Sequence, residues 1–504
     1  MLPAEIYQSR QTRELDRIVI EQHGVPGIML MRRAGEAAFA RIMERYSGSG
    51  RMVVVCGPGN NGGDGYVVAG CARRIGMGVT VLAAAKPATA DAATAARDYR
   101  DGGGAIVAVQ GEGDCAALAA ADLVVDALFG VGLSRAPQGL AARLVRAIND
   151  AGCPVVALDM PSGLHSDTGL AFSPCVTADL TVTFIGLKLG LLTGQGRSRA
   201  GRVVFEDLRI PPEARRAVAP VARIIAAPTL KRRALDMHKG DAGRVLVVGG
   251  GRGMLGAVLL AGEAALRCGS GLVTIASTED HLDLAALRHA ELMSADAGQL
   301  SPQAPGARAD VLVLGPGLGQ SHWSAQVFQR FIDSELPMVV DADGLNHLAR
   351  LAHTCGDSMR RPSNRVLTPH PGEAARLLQS TTADIQADRP GAARAIAERF
   401  GGVCVLKGAG TLVVCAQGGM LVCDRGNPGM ASAGMGDVLS GIAGALLAQG
   451  LPAMAAASAA VWLHASAADA AVKETGERGL LARDVIAGLA PLIRRIEKSR
   501  DAKL

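Results

Sequence analysis

Aromatic residues make up only 3% of the 504 residues, so any core has to be filled by Ala, Val, Leu and Ile. An excess of one charge is also missing: the net balance is +5, and no Lys/Arg block is longer than three. That is too small and too dispersed for a nucleic-acid partner. The ten cysteines contain no C-x-x-C pair, and several lie in apolar runs. This argues against a zinc or disulfide framework and reads as buried free thiols of a reducing, cytoplasmic compartment. The chain reaches Glu5 and Arg10 before any long apolar run, which speaks against a signal peptide. Val438 to Leu463 carries no charge, but Gln449, Gly450 and Pro452 interrupt it. Two buried Ala-rich helices are expected there, and no membrane span. No lysine follows a glycine, so there is no G-K-[ST] loop, and G-x-S-x-G and H-E-x-x-H are absent too. P-loop NTPase, α/β-hydrolase and zincin readings therefore lack support.

Against these absences, 49% of residues are hydrophobic and 20% charged, the composition of a globular protein with large cores. At about 150 residues per domain, the length suggests two to four domains. The 64 glycines and 23 prolines follow no fixed period, which points to tight turns and close backbone approaches. Short β-branched runs alternate with Ala-rich helical patterns. Val53–Val55, Val79–Val81, Leu123–Val125, Val155–Leu158 and Leu180–Thr183 read as buried parallel strands, separated by helices such as Ala92–Asp101 and Leu140–Ala151. Residues 208–230 break the pattern with Pro211, Pro212, Pro220 and Pro228, and a linker is expected there. The alternation restarts with Val245–Val248, Leu272–Ile275, Val311–Leu314, Met338–Val340, Val403–Leu406 and Leu412–Val414. The fold class is α/β with two domains, 1–215 and 228–504, the first a Rossmann-like doubly wound sheet.

In open α/β sheets ligands bind at the carboxyl ends of the strands, so the loops after strands carry the information. Gly57-Pro58-Gly59-Asn60-Asn61-Gly62-Gly63-Asp64-Gly65 follows the first strand and contains G-x-G-x-x-G. A dinucleotide fingerprint needs an acid after the next strand, and Ala83-Ala84-Ala85-Lys86 has none. Asn60, Asn61 and Asp64 offer oxygen ligands and amide donors; the alternative is an Asn/Gly turn that only connects elements. Asp126 and Asp159 both end apolar strands, where partial desolvation raises a carboxyl's proton affinity into a useful range. Asp126 with Asn61 and the Ser162 oxygen could instead hold a hard cation, and either Asp could be a helix cap.

In the second half, Gly249–Gly256 also contains G-x-G-x-x-G, with Glu279 and Asp280 at a loose spacing for a ribose acid. The strongest local signal is Asn427–Asp437, with Gly429, Gly434 and Gly436, followed by a helical run over Val438–Ala448. Such a loop presents free N–H groups to a phosphoryl group, and Asp437 at its mouth is placed to accept a proton from an attacking hydroxyl. Lys407-Gly408-Ala409-Gly410-Thr411 lies between two strands and reads equally as a hairpin turn and as a phosphate-reaching segment. Thr368-Pro369-His370-Pro371-Gly372-Glu373 ends a strand, opens a helix and holds His370 extended.

Taken together, these residues resemble a known family. Asn60–Gly65 with Asp159-Met160-Pro161-Ser162-Gly163 resembles the NAD(P)H-hydrate epimerase domain. His238-Lys239-Gly240, Gly249–Gly256, Gly315–Gly319, Asp341–Asn346, Thr368–Glu373, Lys407–Thr411 and Gly434–Asp437 resemble the ADP-dependent NAD(P)H-hydrate dehydratase domain, a ribokinase-like fold. The resemblance implies repair of hydrated NADH and NADPH (NADHX and NADPHX): the first domain interconverts R and S epimers. The second uses ADP to return the S epimer to the dinucleotide, releasing AMP and phosphate. It implies that Asn60, Asn61, Gly62, Gly63, Asp64 and the loop Gly130, Val131, Gly132, Leu133, Ser134, Arg135, Ala136 hold the hydrate. Asn61, Asp126 and Ser162 would bind K⁺, and Asp159 would contact substrate and move the proton. In the second domain Ala257, Gly319, His370 and Asp437 would face the hydrate. Lys407, Gly408, Ala409, Gly410, Thr411 and Gly436 would face ADP, with Mg²⁺, and Asp437 would deprotonate the ring hydroxyl. The expected partners are NADHX, NADPHX, ADP and further copies of the same chain, with no nucleic acid and no membrane. The alternative is a ribokinase-like small-molecule kinase with an N-terminal ligand-binding domain.

Overall fold

The computed structural model describes residues 2–230, 232–300, 308–356 and 360–501. Contacts divide the chain into two compact units, Met1–Arg223 and Ile224–Leu504. Among the described residues no helix is long and apolar enough to cross a membrane. The uncharged stretch is two helices, Met435–Ala448 and Ala453–Gly479, broken where Gln449, Gly450 and Pro452 stand.

The first unit is built on a seven-stranded sheet in the order Ile106–Ala108, Gly78–Ala83, Arg51–Cys56, Leu123–Ala127, Val155–Leu158, Leu180–Phe184, Arg202–Glu206. All six pairings are parallel. Leu123–Ala127 and Leu180–Phe184 are buried at every position, as expected for strands covered by helices on both faces. From Arg51–Cys56 the chain winds outward one way, then returns to Leu123–Ala127 and winds outward the other way. That reversal opens a crevice between the carboxyl ends of the two central strands.

The second unit holds nine strands in the order Met293–Asp296, Leu272–Ser277, Arg244–Val248, Val311–Leu314, Met338–Val340, Arg365–Leu367, Val403–Leu406, Leu412–Cys415, Met420–Val422. The first seven are parallel neighbours and the last two add as antiparallel hairpins. Its core is aliphatic and Ala-rich, and each fully buried Val or Leu contributes about 1.5–3 kcal/mol. Small residues let the helices approach closely. Helix Met435–Ala448 lies against Leu255–Arg267 with Gly441 so near the Ala261 carbonyl that a Cβ would collide with it.

Two local readings are corrected. Asn60–Asp64 is not a loop: the helix Asn60–Arg74 begins at Asn60, because glycines at 62, 63 and 65 let its first turns press against the sheet and neighbouring helices. Asp126 does not follow its strand but lies inside Leu123–Ala127, fully buried.

Candidate functional site

In the first unit a cavity of about 840 Å³ opens at the carboxyl ends of the central strands. Asn60, Asn61, Asp64, Asp159 and the loop Gly130, Val131, Gly132, Leu133, Ser134 and Arg135 line it. Gly62, Gly63 and Ala136 do not. Gly62 is pressed on the Gly57 carbonyl and Gly63 on Met31, so both serve the close packing of the helix.

Asp159 follows strand Val155–Leu158 with a left-handed φ of 62°, a conformation a non-glycine residue holds only when its surroundings impose it. Its Oδ1 accepts from the Thr183 hydroxyl at 3.2 Å, from the Phe184 amide at 3.3 Å, and from Lys188 Nζ. Its Oδ2 faces Gly130, where a Cβ would stand 3.3 Å away. Lys188 is buried and also donates to Thr183 Oγ1 at 3.1 Å and to the Phe184 carbonyl at 2.8 Å, so all three of its protons are used. Burial raises the Asp64 carboxyl well above the ordinary range, reinforced by Asp159 and Asp16 and opposed by Lys188. Asp16, from helix Ser9–Glu21, is pushed up to about 6 by burial. The cavity therefore sets a carboxylate paired with lysine beside carboxyls held toward the protonated form. Asp16 and Lys188 were not identified from sequence. Lys188 stands in an apolar run, and only its three acceptors mark it.

Beside this cavity Asp126 accepts from the Ser162 hydroxyl at 2.7 Å, the Ser162 amide at 2.8 Å and the Leu128 amide at 3.2 Å. Burial still raises it to about 6. Both side-chain polar atoms of Asn61 are buried with no hydrogen-bond partner. An orphaned amide, a buried carboxyl and a serine oxygen are the oxygen donors a hard cation takes.

In the second unit five consecutive strand ends face the same way. Gly249, Gly315, Asp341, Thr368 and Lys407 directly follow Val248, Leu314, Val340, Leu367 and Leu406. Lys407 Nζ bonds Asp341 Oδ1 at 2.7 Å and lies 3.7 Å from Glu373 Oε2. Glu373 Oε1 is 3.2 Å from His370 Nε2. Ser440 donates to Asp341 Oδ2 at 3.1 Å, one turn along the helix from Gly436 and Asp437. A Cβ on Gly436 would sit 3.1 Å from Lys407 Nζ, so the lysine reaches the N-terminus of that helix. Burial would lower the Lys407 ammonium, but Asp341, Glu373 and Asp437 hold it above its ordinary value. Asp437 is pushed up to about 7, first by burial and then by Asp341, against the pull of Lys407. Glu373 is likewise raised to about 7 by burial.

The site thus joins His370, Lys407, Gly436 and Asp437 and adds Asp341 and Glu373, whose importance a single sequence does not display. Lys407–Thr411 forms the expected hairpin turn. It is the turn between antiparallel strands, with buried Arg389 donating to the Leu406 and Lys407 carbonyls at 3.3 Å, and its lysine enters the acidic cluster. His370 is extended and caps helix Pro371–Leu378, its Nδ1 accepting from the Gly372 and Glu373 amides, with half the side chain exposed. Gly319 donates its amide to Asp343 Oδ2 at 2.8 Å and Ala257 borders Gly317. Asp343 in turn acts electrostatically on Asp437.

Residues 245–490 match the family model for NAD(P)H-hydrate dehydratase, and residues 27–190 match that for the YjeF-related protein N-terminus. The bifunctional NAD(P)H-hydrate repair enzyme Nnr of Coxiella burnetii is 42% identical over 496 residues, covering 97% of this chain and 99% of that protein. Its counterpart in Escherichia coli is 40% identical, covering 98% of this chain and 94% of that protein. A solved ADP/ATP-dependent NAD(P)H-hydrate dehydratase from Bacillus subtilis, co-crystallised with ATP and Mg²⁺, is 28% identical with a TM-score of 0.48. It covers 53% of this chain and 95% of that one.

Proposed function

The chain belongs to the bifunctional NAD(P)H-hydrate repair enzymes, which join an epimerase to a ribokinase-like dehydratase, and we propose how its own residues divide that work. The first unit carries the epimerase. In its cavity Asp64, kept protonated by burial, donates to the ring hydroxyl so that it leaves as water when the ring nitrogen pushes in its lone pair. Water returns to either face of the ring carbon and gives its proton to Asp159, held by Lys188, from which it passes back to Asp64 to restore the acid. Asn61, Asp126 and Ser162 would hold K⁺, as the orphaned Asn61 amide supports. A bound cation there supplies charge that neutralises Asp126 and fixes this wall of the cavity. Replacing K⁺ by Na⁺ is expected to lower the epimerase rate without touching dehydration of pure S epimer; an equal epimerase rate in both buffers removes the cation from the reading.

The second unit carries the dehydratase, with ADP as the nucleotide. The observation that carries this assignment is the Asp437 carboxyl, raised to about 7, in the first turn of a helix whose N-terminus is reached by Lys407. Asp437 takes the proton of the ring hydroxyl as its oxygen attacks the terminal phosphorus of ADP, and AMP leaves. The free amides around Gly434–Gly436 and the Lys407 ammonium stabilise the transferring group. The ring nitrogen then expels phosphate, and loss of a neighbouring ring proton restores the dihydropyridine. Among the described residues no three His, Cys, Asp or Glu side chains converge as a metal cage. Asp341 and Asp437 are the carboxylates that would hold Mg²⁺ together with the nucleotide, where it would supply charge neutralisation. Cys56, Cys71, Cys175, Cys268 and Cys404, buried free thiols, support a reducing, cytoplasmic setting, and light scattering tests assembly into a homo-oligomer.

The deciding experiment mixes the protein with both epimers of NADHX and ADP and follows the return of NADH absorbance. Full recovery of both epimers is expected. Recovery of the S fraction alone, beyond slow spontaneous exchange, would strip the first unit of catalysis, and recovery with ATP but not ADP would overturn the nucleotide assignment.

A further inference from the structure

Helices Asp343–Cys355 and Pro371–Leu378 of the second unit flank a groove of about 820 Å³. Helical spacing aligns Asp343, Asn346 and Arg350 on one wall and Gly372 and Arg376 on the other, over a buried apolar floor of Ala349 and Ala375. Both arginines are exposed, and neither forms an ion pair with a carboxylate among the described residues. Arg376 Nη1 donates to Asn346 Oδ1 at 3.0 Å, and Arg350 donates to Gln320 Oε1. The one carboxylate in the groove, Asp343, is already engaged. Its Oδ2 accepts from the Gly319 amide at 2.8 Å, and its Oδ1 accepts from Gln320 at 2.6 Å and from Asn346 at 3.2 Å. Two guanidinium forks held by neutral amides, with the local acid satisfied, suit a phosphoryl group.

The groove also starts where the reacting end stops. Asp343 holds Gly319, and Gly372 lies two residues beyond His370, both of them residues assigned above to the hydrated ring. A dinucleotide whose ring sits there must send its phosphates outward. We propose that Arg350 and Arg376 bind a phosphoryl group of the hydrated dinucleotide, pyrophosphate or ribose 2′-phosphate, along this groove. The inference rests on the assignment of the second unit's strand ends as the dehydratase site.

The test measures dehydration kinetics of Arg350→Gln, Arg376→Gln and the double variant with purified S epimers of NADHX and NADPHX. Each substitution is expected to raise the KM for the hydrate roughly tenfold, with kcat and the KM for ADP within about twofold. Arg→Lys should restore part of the loss. A rise for both hydrates identifies the pyrophosphate, and a rise for NADPHX alone identifies the 2′-phosphate; either supports the groove. Unchanged KM for both hydrates overturns it, as does an equal loss in kcat or in the KM for ADP, which marks a merely structural role. An unmodified protein that fails to turn over S-NADHX overturns the dehydratase assignment itself, and the groove with it.

Discussion

An Asp437→Asn chain is expected to lose dehydration by roughly a thousandfold in kcat while keeping its ADP affinity. The substitution preserves shape and removes only the ability to take a proton. The proposed nucleotide contacts stand on separate supports: the Lys407–Thr411 turn is anchored by Arg389, and the Gly436 backbone is untouched. The pH profile gives the same argument a sign. Burial and Asp341 raise the Asp437 carboxyl to about 7, and the base works only when ionised. Wild-type kcat/KM should therefore climb as pH rises toward 7 and level off above it, whereas the residual rate of the Asn variant should lack that limb. Near-normal turnover by Asp437→Asn would remove the residue from catalysis.

The second large effect belongs to the other unit. Asp159→Asn is expected to lower R-to-S conversion by at least about a hundredfold, with dehydration of pure S epimer unchanged. The neutral amide keeps the shape of the side chain but gives up the charge that Lys188 Nζ meets. Lys188→Met goes further. It leaves Asp159 half-buried without its counter-charge, so a loss of about 3–5 kcal/mol in stability of the first unit should accompany the lost epimerase activity. Epimerisation that survives Asp159→Asn intact would assign proton transfer elsewhere in the cavity, with Asp64 the next residue to substitute.

Much of this architecture is legible in the residues. Val155–Leu158, Val311–Leu314, Met338–Val340 and Val403–Leu406 are strands with the expected limits, because a parallel strand covered on both faces is a continuous apolar run bounded by turn residues. The short strands Ile106–Ala108 and Met420–Val422 give no such signal, being set beside glycines and polar residues. Asp159 and Asp437 were readable by position, since the first follows a strand and the second opens a helix. Their partners were not. Lys188 lies 29 residues from Asp159, and Asp341 is 66 from Lys407; such separations close only in the folded chain. Asp16 is harder still, because it is one acid on an amphipathic helix and nothing distinguishes it until that helix edges the cavity.

The close seat of Gly441 on the Ala261 carbonyl bears on motion. Backbone lies on backbone there, with no side chain between to change rotamer. Helix Met435–Ala448 is a fixed post, unable to roll or slide without driving one main chain into another. The segment ahead of it, Asn427–Gly434, turns through a left-handed Gly434 and is moored by Asn427 to Asp469 at 3.0 Å. Asp437, the proposed base, is thereby carried on a part of the fold that holds its place.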